Sequence, residues 1–391
     1  MISPETKSPF VAIACGGTGG HLFPGIAVAG HLQKRGCTVA LLISPKDVDQ
    51  QAVKSMPGME IFTLPAVALQ NQNYFSFARS FWRSWRVARK IFQARPPQAV
   101  LAMGGFTSAP PVFAGNAFGA KTFLHESNTI PGRANRFLAR FVHEALVGFP
   151  EAGLRLKARQ VTVAGTPVRP QFQPRDAAEC RAALGLDPNR PVILVMGGSQ
   201  GASGLNEMIL SALPLLAGKN WQWLHLTGAN DFERVEAAYA ARGIRAVVKP
   251  FLAEMDLALG AAAVSVSRSG ASSLAEIAAM RLPSLLVPYP TAADNHQYFN
   301  ACAFEKTGAA ILMAQKNSPP EKVAEILSGL VGDETLRAKM QSALAQWHAP
   351  LAAEHIAEII LKAVARPEKA GQSQMNKCGC GHAHGAAKPA H

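Results

Sequence analysis

Short apolar runs rich in Val, Ile, Leu and Ala recur along the chain, each closed by a polar or glycine-containing turn, and most are followed by segments with apolar residues at three- and four-residue spacing. Runs of this kind read as strands buried on both faces, and the spaced segments as helices. The strand candidates in the first half are Phe10 to Ala14, Thr38 to Ile43, Glu60 to Leu64, Ala99 to Met103, Lys121 to Leu124 and Ala145 to Gly148. Those in the second half are Val192 to Met196, Gln222 to Leu226, Ala246 to Val248, Ala263 to Ser267, Ser284 to Val287 and Ala309 to Met313. The alternation predicts α/β domains with mainly parallel, doubly wound sheets. The halves also echo one another: CGGTGGHLFPG and MGGSQGASGLN are each a strand end, a glycine turn and a helix start. Two Rossmann-like domains facing a central cleft are therefore expected, 1–166 and 167–345, joined by the Pro-rich stretch Val161 to Pro174. A helix in 346–366 is expected to dock back on the first domain, and the Gly-, Ala-, Lys- and His-rich tail 367–391 to be disordered.

The stretch from Val264 to Ala301 carries the most chemistry. A strand stops at Arg268-Ser269-Gly270, a helix opens near Ser272 and Ser273, and a second strand leads to Asp294-Asn295-His296-Gln297. The free N–H groups at the helix start suit a phosphate, Glu276 suits two vicinal ribose hydroxyls, and His296 and Gln297 suit sugar hydroxyls. The competing reading of Ser273-x-x-Glu276 is a capping box in which the Glu satisfies only backbone. In the first half, Gly16, Gly17, Gly19 and Gly20 permit close approach of a ligand, although the loop is not GxGxxG. His21 follows at the carboxyl end of the first strand, where α/β sheets hold ligands, and is the candidate base.

Composition narrows the partners. A formal charge of +13 implies an anionic one, and no apolar run approaches a membrane span. AIAC resembles a lipoprotein cleavage box, but its apolar run is too short for a signal sequence, so Phe10 to Ala14 reads as a strand of a cytoplasmic protein. Residues 74 to 95 interleave Phe75, Phe77, Phe81, Trp82, Trp85 and Phe92 with six basic residues, as an interfacial helix on an anionic membrane would; a core-packed helix with a solvated basic face is the alternative. No nucleic-acid signature accompanies it. Cys15, Cys37, Cys180 and Cys302 are scattered, consistent with buried thiols, while CGCGHAH in the tail lacks zinc-site spacing. Asp47-Val48-Asp49 imitates a metal-binding DxD pair but lacks supporting acids and is expected to face water.

The stretches GGTGGHLFPG, MGGFTSAPP, HESN, GTPVR, GGSQGASGLNE, SRSGASSLAEIAA and DNHQYFNA, in this order between about residues 10 and 365, resemble the MurG family of bacterial transferases, glycosyltransferase family 28. The resemblance implies a GT-B architecture, no cofactor or metal, and inverting transfer of GlcNAc from UDP-GlcNAc to the C4 hydroxyl of undecaprenyl-diphospho-MurNAc-pentapeptide. It implies a peripheral enzyme on the cytoplasmic face of the membrane. It places Thr18, Gly19 and Gly20 in a binding loop beside catalytic His21, and Asn128 and Arg169 along the cleft. Ser199, Leu252 through its backbone, Ala271, Ser272, Ser273, Leu274, Ala275 and Glu276 would contact the donor, with Glu276 on ribose and Gln297 on the GlcNAc hydroxyls. Ser127 stands where the family often has Gln, and some members carry Gln at the position of His296. Two rivals remain: a non-hydrolysing UDP-GlcNAc 2-epimerase, and a noncatalytic membrane-docked scaffold that binds nucleotide-sugar.

Overall fold

The computed structural model describes residues 8–46, 49–50, 53, 58–65, 74–198, 201–316 and 318–365. Seven strands, β1 (Phe10–Ala14), β2 (Thr38–Ile43), β3 (Glu60–Thr63), β4 (Ala99–Ala102), β5 (Lys121–Glu126), β6 (Glu144–Val147) and β7 (Val161–Val163), form one sheet in the order β3-β2-β1-β4-β5-β6-β7. Six more, β8 (Val192–Met196), β9 (Gln222–Leu226), β10 (Ala246–Lys249), β11 (Val264–Ser267), β12 (Ser284–Leu286) and β13 (Ile311–Leu312), form a second sheet in the order β10-β9-β8-β11-β12-β13. Every pairing is parallel. Parallel strands need a crossover on one face or the other, so the central strands are covered twice and carry no polar face. β1 and β8 are accordingly buried along their whole length.

The two sheets share one logic: chain order reverses between β1 and β4 in the first and between β8 and β11 in the second. At such a switch point the loops beyond the two carboxyl ends diverge and leave a crevice. The loop residues involved are Cys15–Thr18 and Met103–Ser108 in one domain, and Gly197, Gly198, Gly201, Ala202 and Arg268–Gly270 in the other. Val161–Val163, read from sequence as the start of the linker, is the edge strand of the first sheet, with Leu146 paired to Thr162. Its β-branched residues pair on one side and face solvent on the other, which makes too short an apolar run to read as a strand.

Helix Ala352–Ala365 follows the second sheet yet packs on the first domain, where Ala353, Ile356, Ala357 and Ile360 join the core formed by Leu22, Ile26 and Ala29 of helix Gly19–Lys34. Burying Ile356 and Ile360 there contributes about 2 kcal/mol each. Arg35 pairs with Glu354 at 2.7 Å and Glu358 at 3.0 Å along the rim. The chain thus crosses between domains twice, and Gly165 marks the crossing: a Cβ on it would lie 2.4 Å from Ala349 Cβ, and its φ is +77°. Only glycine meets both conditions without strain.

Candidate active site

On the first-domain side, the turn after β1 is drawn tightly under the end of β2. A Cβ on Gly16 would stand 2.2 Å from the Ser44 nitrogen, and Gly17 has φ +110°. Asp49 pins this turn: its Oδ2 accepts hydrogen bonds from Gly17 N–H at 2.6 Å, Ser44 N–H at 3.2 Å and Ser44 Oγ at 2.5 Å. The carboxylate is fully buried, which corrects the expectation that the acidic doublet faces water; Asp47 and Val48 lie outside the described residues. Three donors, one from the turn after β1 and two from Ser44 at the end of β2, offset the cost of desolvating one charge.

His21 stands in the first turn of helix Gly19–Lys34, its Nδ1 3.1 Å from Thr18 Oγ1. Its ring lies against Gly104 and Gly105 after β4, where a Cβ on either residue would come within 3.1 Å of ring atoms. Burial pushes the imidazole down to about 4; Asp49 opposes the shift, and His125, Lys46 and His296 reinforce it. The ring is therefore neutral near pH 7, and in the tautomer whose Nδ1–H donates to Thr18 Oγ1 the Nε2 lone pair can accept a proton.

On the second-domain side, helix Ala271–Met280 has Gly270 as its N-cap and no side-chain cap bond, so Ser273 lies within the helix and the capping-box alternative is not what forms. Glu276 instead faces Arg169, with Nη2 to Oε1 at 3.6 Å. Burial raises its carboxyl to about 7 against the lowering influence of Arg169. The Arg169 guanidinium is stacked over Phe23 at 4.1 Å and Phe172 at 4.8 Å. Ser272 Oγ donates to the Gly20 carbonyl at 2.9 Å, so the starts of the two helices meet across the domain boundary. Ala271 and Leu274 are buried in the core, whereas Ser272, Ser273 and Ala275 are partly accessible.

Beside this helix lies a cavity of about 670 Å³, lined in part by Gly201, Ser203, Arg268, Tyr289, Gln297 and Gln315. That is the size range of small-molecule sites. The Gln297 side-chain oxygen Oε1 accepts from Tyr289 N–H at 3.0 Å. Leu252 is buried in the second-domain core, and Ser199 lies outside the described residues. Arg268, which sequence reasoning did not single out, is 6% exposed and donates to the Val287 and Pro288 carbonyls and to Gln315 Oε1. Its sequence signal was an arginine directly after the Val-Ser-Val-Ser strand that ends at Ser267. A smaller hollow of about 290 Å³ lies at the opposite ends of the strands, around Arg190, Lys219 and Arg245, and shares no residue with this site.

The HESN segment closes the cleft floor. Glu126 is buried and accepts from the N–H of Asn128 and Gly132 and from the amides of Asn128 and Asn135, all at 3.0 Å or less. The Asn128 side chain is thereby held between Glu126 and Asn300 of the second domain, the latter donating at 3.0 Å. His125 is buried with Nε2 2.9 Å from the Gly165 carbonyl oxygen and with Ser127 Oγ 3.2 Å from Nδ1.

Comparison with known proteins bears on this arrangement. Sequence models of the glycosyltransferase family 28 N-terminal and C-terminal domains match residues 11–147 and 192–356. A UDP-N-acetylglucosamine–N-acetylmuramyl-(pentapeptide) pyrophosphoryl-undecaprenol N-acetylglucosamine transferase of Mesorhizobium japonicum is 34% identical over 355 residues, 89% of this chain and 94% of that protein. A transferase of the same description from Xanthomonas axonopodis pv. citri is 35% identical over 382 residues, 97% of this chain and 86% of that one. The chain belongs to this MurG family of glycosyltransferases. The crystal structure of Acinetobacter baumannii MurG superposes with TM-score 0.72 at 26% identity, covering 91% of this chain and 99% of that one. A Listeria monocytogenes structure described as a UDP-N-acetylglucosamine 2-epimerase superposes with TM-score 0.68 at only 14% identity, covering 91% and 96%. That likeness concerns the GT-B fold alone; the family membership separates this chain from the epimerase reading.

Proposed function

We propose that this chain transfers GlcNAc from UDP-GlcNAc to the C4 hydroxyl of undecaprenyl-diphospho-MurNAc-pentapeptide, with inversion and without a metal, at the cytoplasmic face of the cell membrane. The observation that carries the reading is the joining of His21, at the glycine turn of one domain, to the start of helix Ala271–Met280 of the other through Ser272 and Gly20, next to Arg268, which lines the cavity.

In this reading UDP lies in the cavity along helix Ala271–Met280, with Glu276 on the ribose and Gln297 on the sugar. Departing negative charge is met by the helix start and by Arg169 and Arg268. The acceptor enters against Thr18, Gly19, Gly20 and Asn128, and its C4 hydroxyl gives its proton to His21 as it attacks the anomeric carbon.

The membrane reading is supported by an aromatic surface that the structure redraws. In helix Tyr74–Ala94, Phe92 is core and Trp85 packs against the core, so part of the stripe read as lipid-facing is interior. The exposed members are Phe75 and Trp82, with Phe77 and Phe81 half-buried, and Phe137 and Phe141 add a second exposed pair from outside the helix. Phe113, 5.2 Å from Phe141 and 6.2 Å from Phe81, bridges the two sets. Arg79, Arg83, Arg133 and Arg140 are interspersed with them in sequence, a combination suited to anionic headgroups. No helix among the described residues is long and apolar enough to cross a membrane.

The test is incubation of the purified protein with radiolabelled UDP-GlcNAc and the lipid-linked acceptor in detergent with EDTA. Label in the lipid fraction, with inverted anomeric configuration, is expected. Label that stays in the aqueous fraction overturns the transferase reading, and transfer abolished by EDTA overturns its metal independence.

A further inference from the structure

Asn300 lies in helix His296–Lys306 of the second domain and is wholly buried. Its side-chain amide is saturated by four hydrogen bonds that reach into both domains. Oδ1 accepts from the N–H and the hydroxyl of Thr129, each at 2.9 Å. Nδ2 donates to Asn128 Oδ1 at 3.0 Å and to the Ser269 carbonyl at 3.1 Å. An Asn amide has two donor and two acceptor positions, and here all four are used.

The partners are not incidental. Asn128 and Thr129 belong to the loop after β5 that Glu126 organises on the acceptor side. Ser269 belongs to the turn after β11, and its hydroxyl donates to the Gln297 carbonyl at 2.8 Å, one helical turn before Asn300. A single buried amide therefore joins the acceptor-side loop, the turn that starts the donor helix, and the helix that bears Gln297. At the rim of the same junction Asp294 pairs with Arg136 at 2.5 Å and Arg133 at 3.4 Å. Asp294 and Asn295 both sit at φ 52°, an uncommon conformation for non-glycine residues that a fixed junction sustains. The rim pairs are accessible and screened, so within this junction the buried amide is the stronger link between the domains.

We propose that Asn300 is a positioning residue: it clasps the two domains in the closed arrangement that brings the acceptor-side loop over the donor site, and it touches neither substrate. The inference rests on the transferase reading for its kinetic consequence but not for its structural one. Asn300→Ala leaves four buried polar groups without their partner. Asn300→Asp keeps the size but turns a carboxylate oxygen toward two acceptors, Asn128 Oδ1 and Ser269 O, and so disfavours closure more strongly. Thr129→Val, which deletes one donor to the same amide, is the milder variant should the others fold poorly.

The experiment compares these variants with the full-length wild type in three measurements: UDP affinity by calorimetry, kcat with the lipid-linked acceptor, and small-angle scattering without substrates. The expected result is UDP affinity within about threefold of wild type, because the cavity lies within the second domain, together with a larger radius of gyration. In that arrangement kcat falls 30-fold or more for Asn300→Ala, further for Asn300→Asp and least for Thr129→Val. Unchanged scattering with kcat within about threefold in folded variants overturns the proposal. So does a loss of UDP affinity that matches the loss of kcat, which would make Asn300 a donor contact. An inactive wild type defeats the transferase reading instead, and scattering still decides the clasp.

Discussion

The Arg169 guanidinium, carried by the segment that joins the two sheets, stands 3.6 Å from the Glu276 carboxylate on the donor helix. The pair is nearly enclosed, each side chain being 15% exposed, and desolvation outweighs the attraction so that Glu276 is raised from 4.5 to about 7. Between those values the folded state binds a proton that the unfolded state does not. Its stabilising contribution is complete below about 4.5 and is lost as pH rises through about 7, on the order of 3 kcal/mol. Urea melts at pH 5 and pH 8 should show this loss in the wild type and little of it in Glu276→Gln.

In the proposed donor site the same carboxylate accepts two ribose hydroxyls, which requires it to be ionised. Donor affinity should therefore fall as pH drops below about 7, and this dependence should vanish in Glu276→Gln, whose affinity is low throughout. Calorimetric titration of UDP across pH 5.5–8.5 measures it; a wild-type affinity flat over that range removes Glu276 from the ribose.

His21 titrates far lower, at about 4, so the free enzyme keeps it neutral across the range in which Glu276 changes. Its replacement by Ala should reduce kcat by about 10²- to 10⁴-fold while leaving UDP affinity nearly unchanged. Turnover near wild type would remove it from proton transfer.

Asp49 holds the turn beneath His21 through Gly17 and Ser44. Asp49→Ala should cost on the order of 3 kcal/mol by stranding three buried donors, and should lower kcat because the glycine turn loses its anchor. Thermal melts and single-turnover assays on the variant check both effects.

The exposed aromatics give a prediction that separates membrane docking from chemistry. Replacing Phe75, Trp82 and Phe137 together by Ser should lower binding to anionic vesicles tenfold or more, with little effect on turnover of a short-chain acceptor in detergent. Phe81 and Trp85 are poorer probes, since Phe81 is partly buried against Phe113 and Trp85 packs on the core.

What the sequence determined by itself was what local periodicity and backbone chemistry dictate. β-branched and aliphatic runs such as Val192 to Met196 have no polar face to present, and can only be central parallel strands. The glycines at 16 and 17 announced a tight turn because no side chain fits there, and the motif order carried the family. Tertiary structure decided which polar residues are buried and with whom, because such partnerships join positions far apart in the chain. Asn300 meets Thr129 across 171 residues, and nothing in the local pattern around either one marks the pair. Asp49 sits in a stretch that reads as solvated until Gly17 and Ser44 are brought to it. Likewise, Phe92 and Trp82 belong to one aromatic-rich helix, and the packing of neighbouring elements takes the first into the core and leaves the second at the surface. Burial of a polar or aromatic side chain is a property of the assembled surface around it, and that surface exists only once the chain has closed.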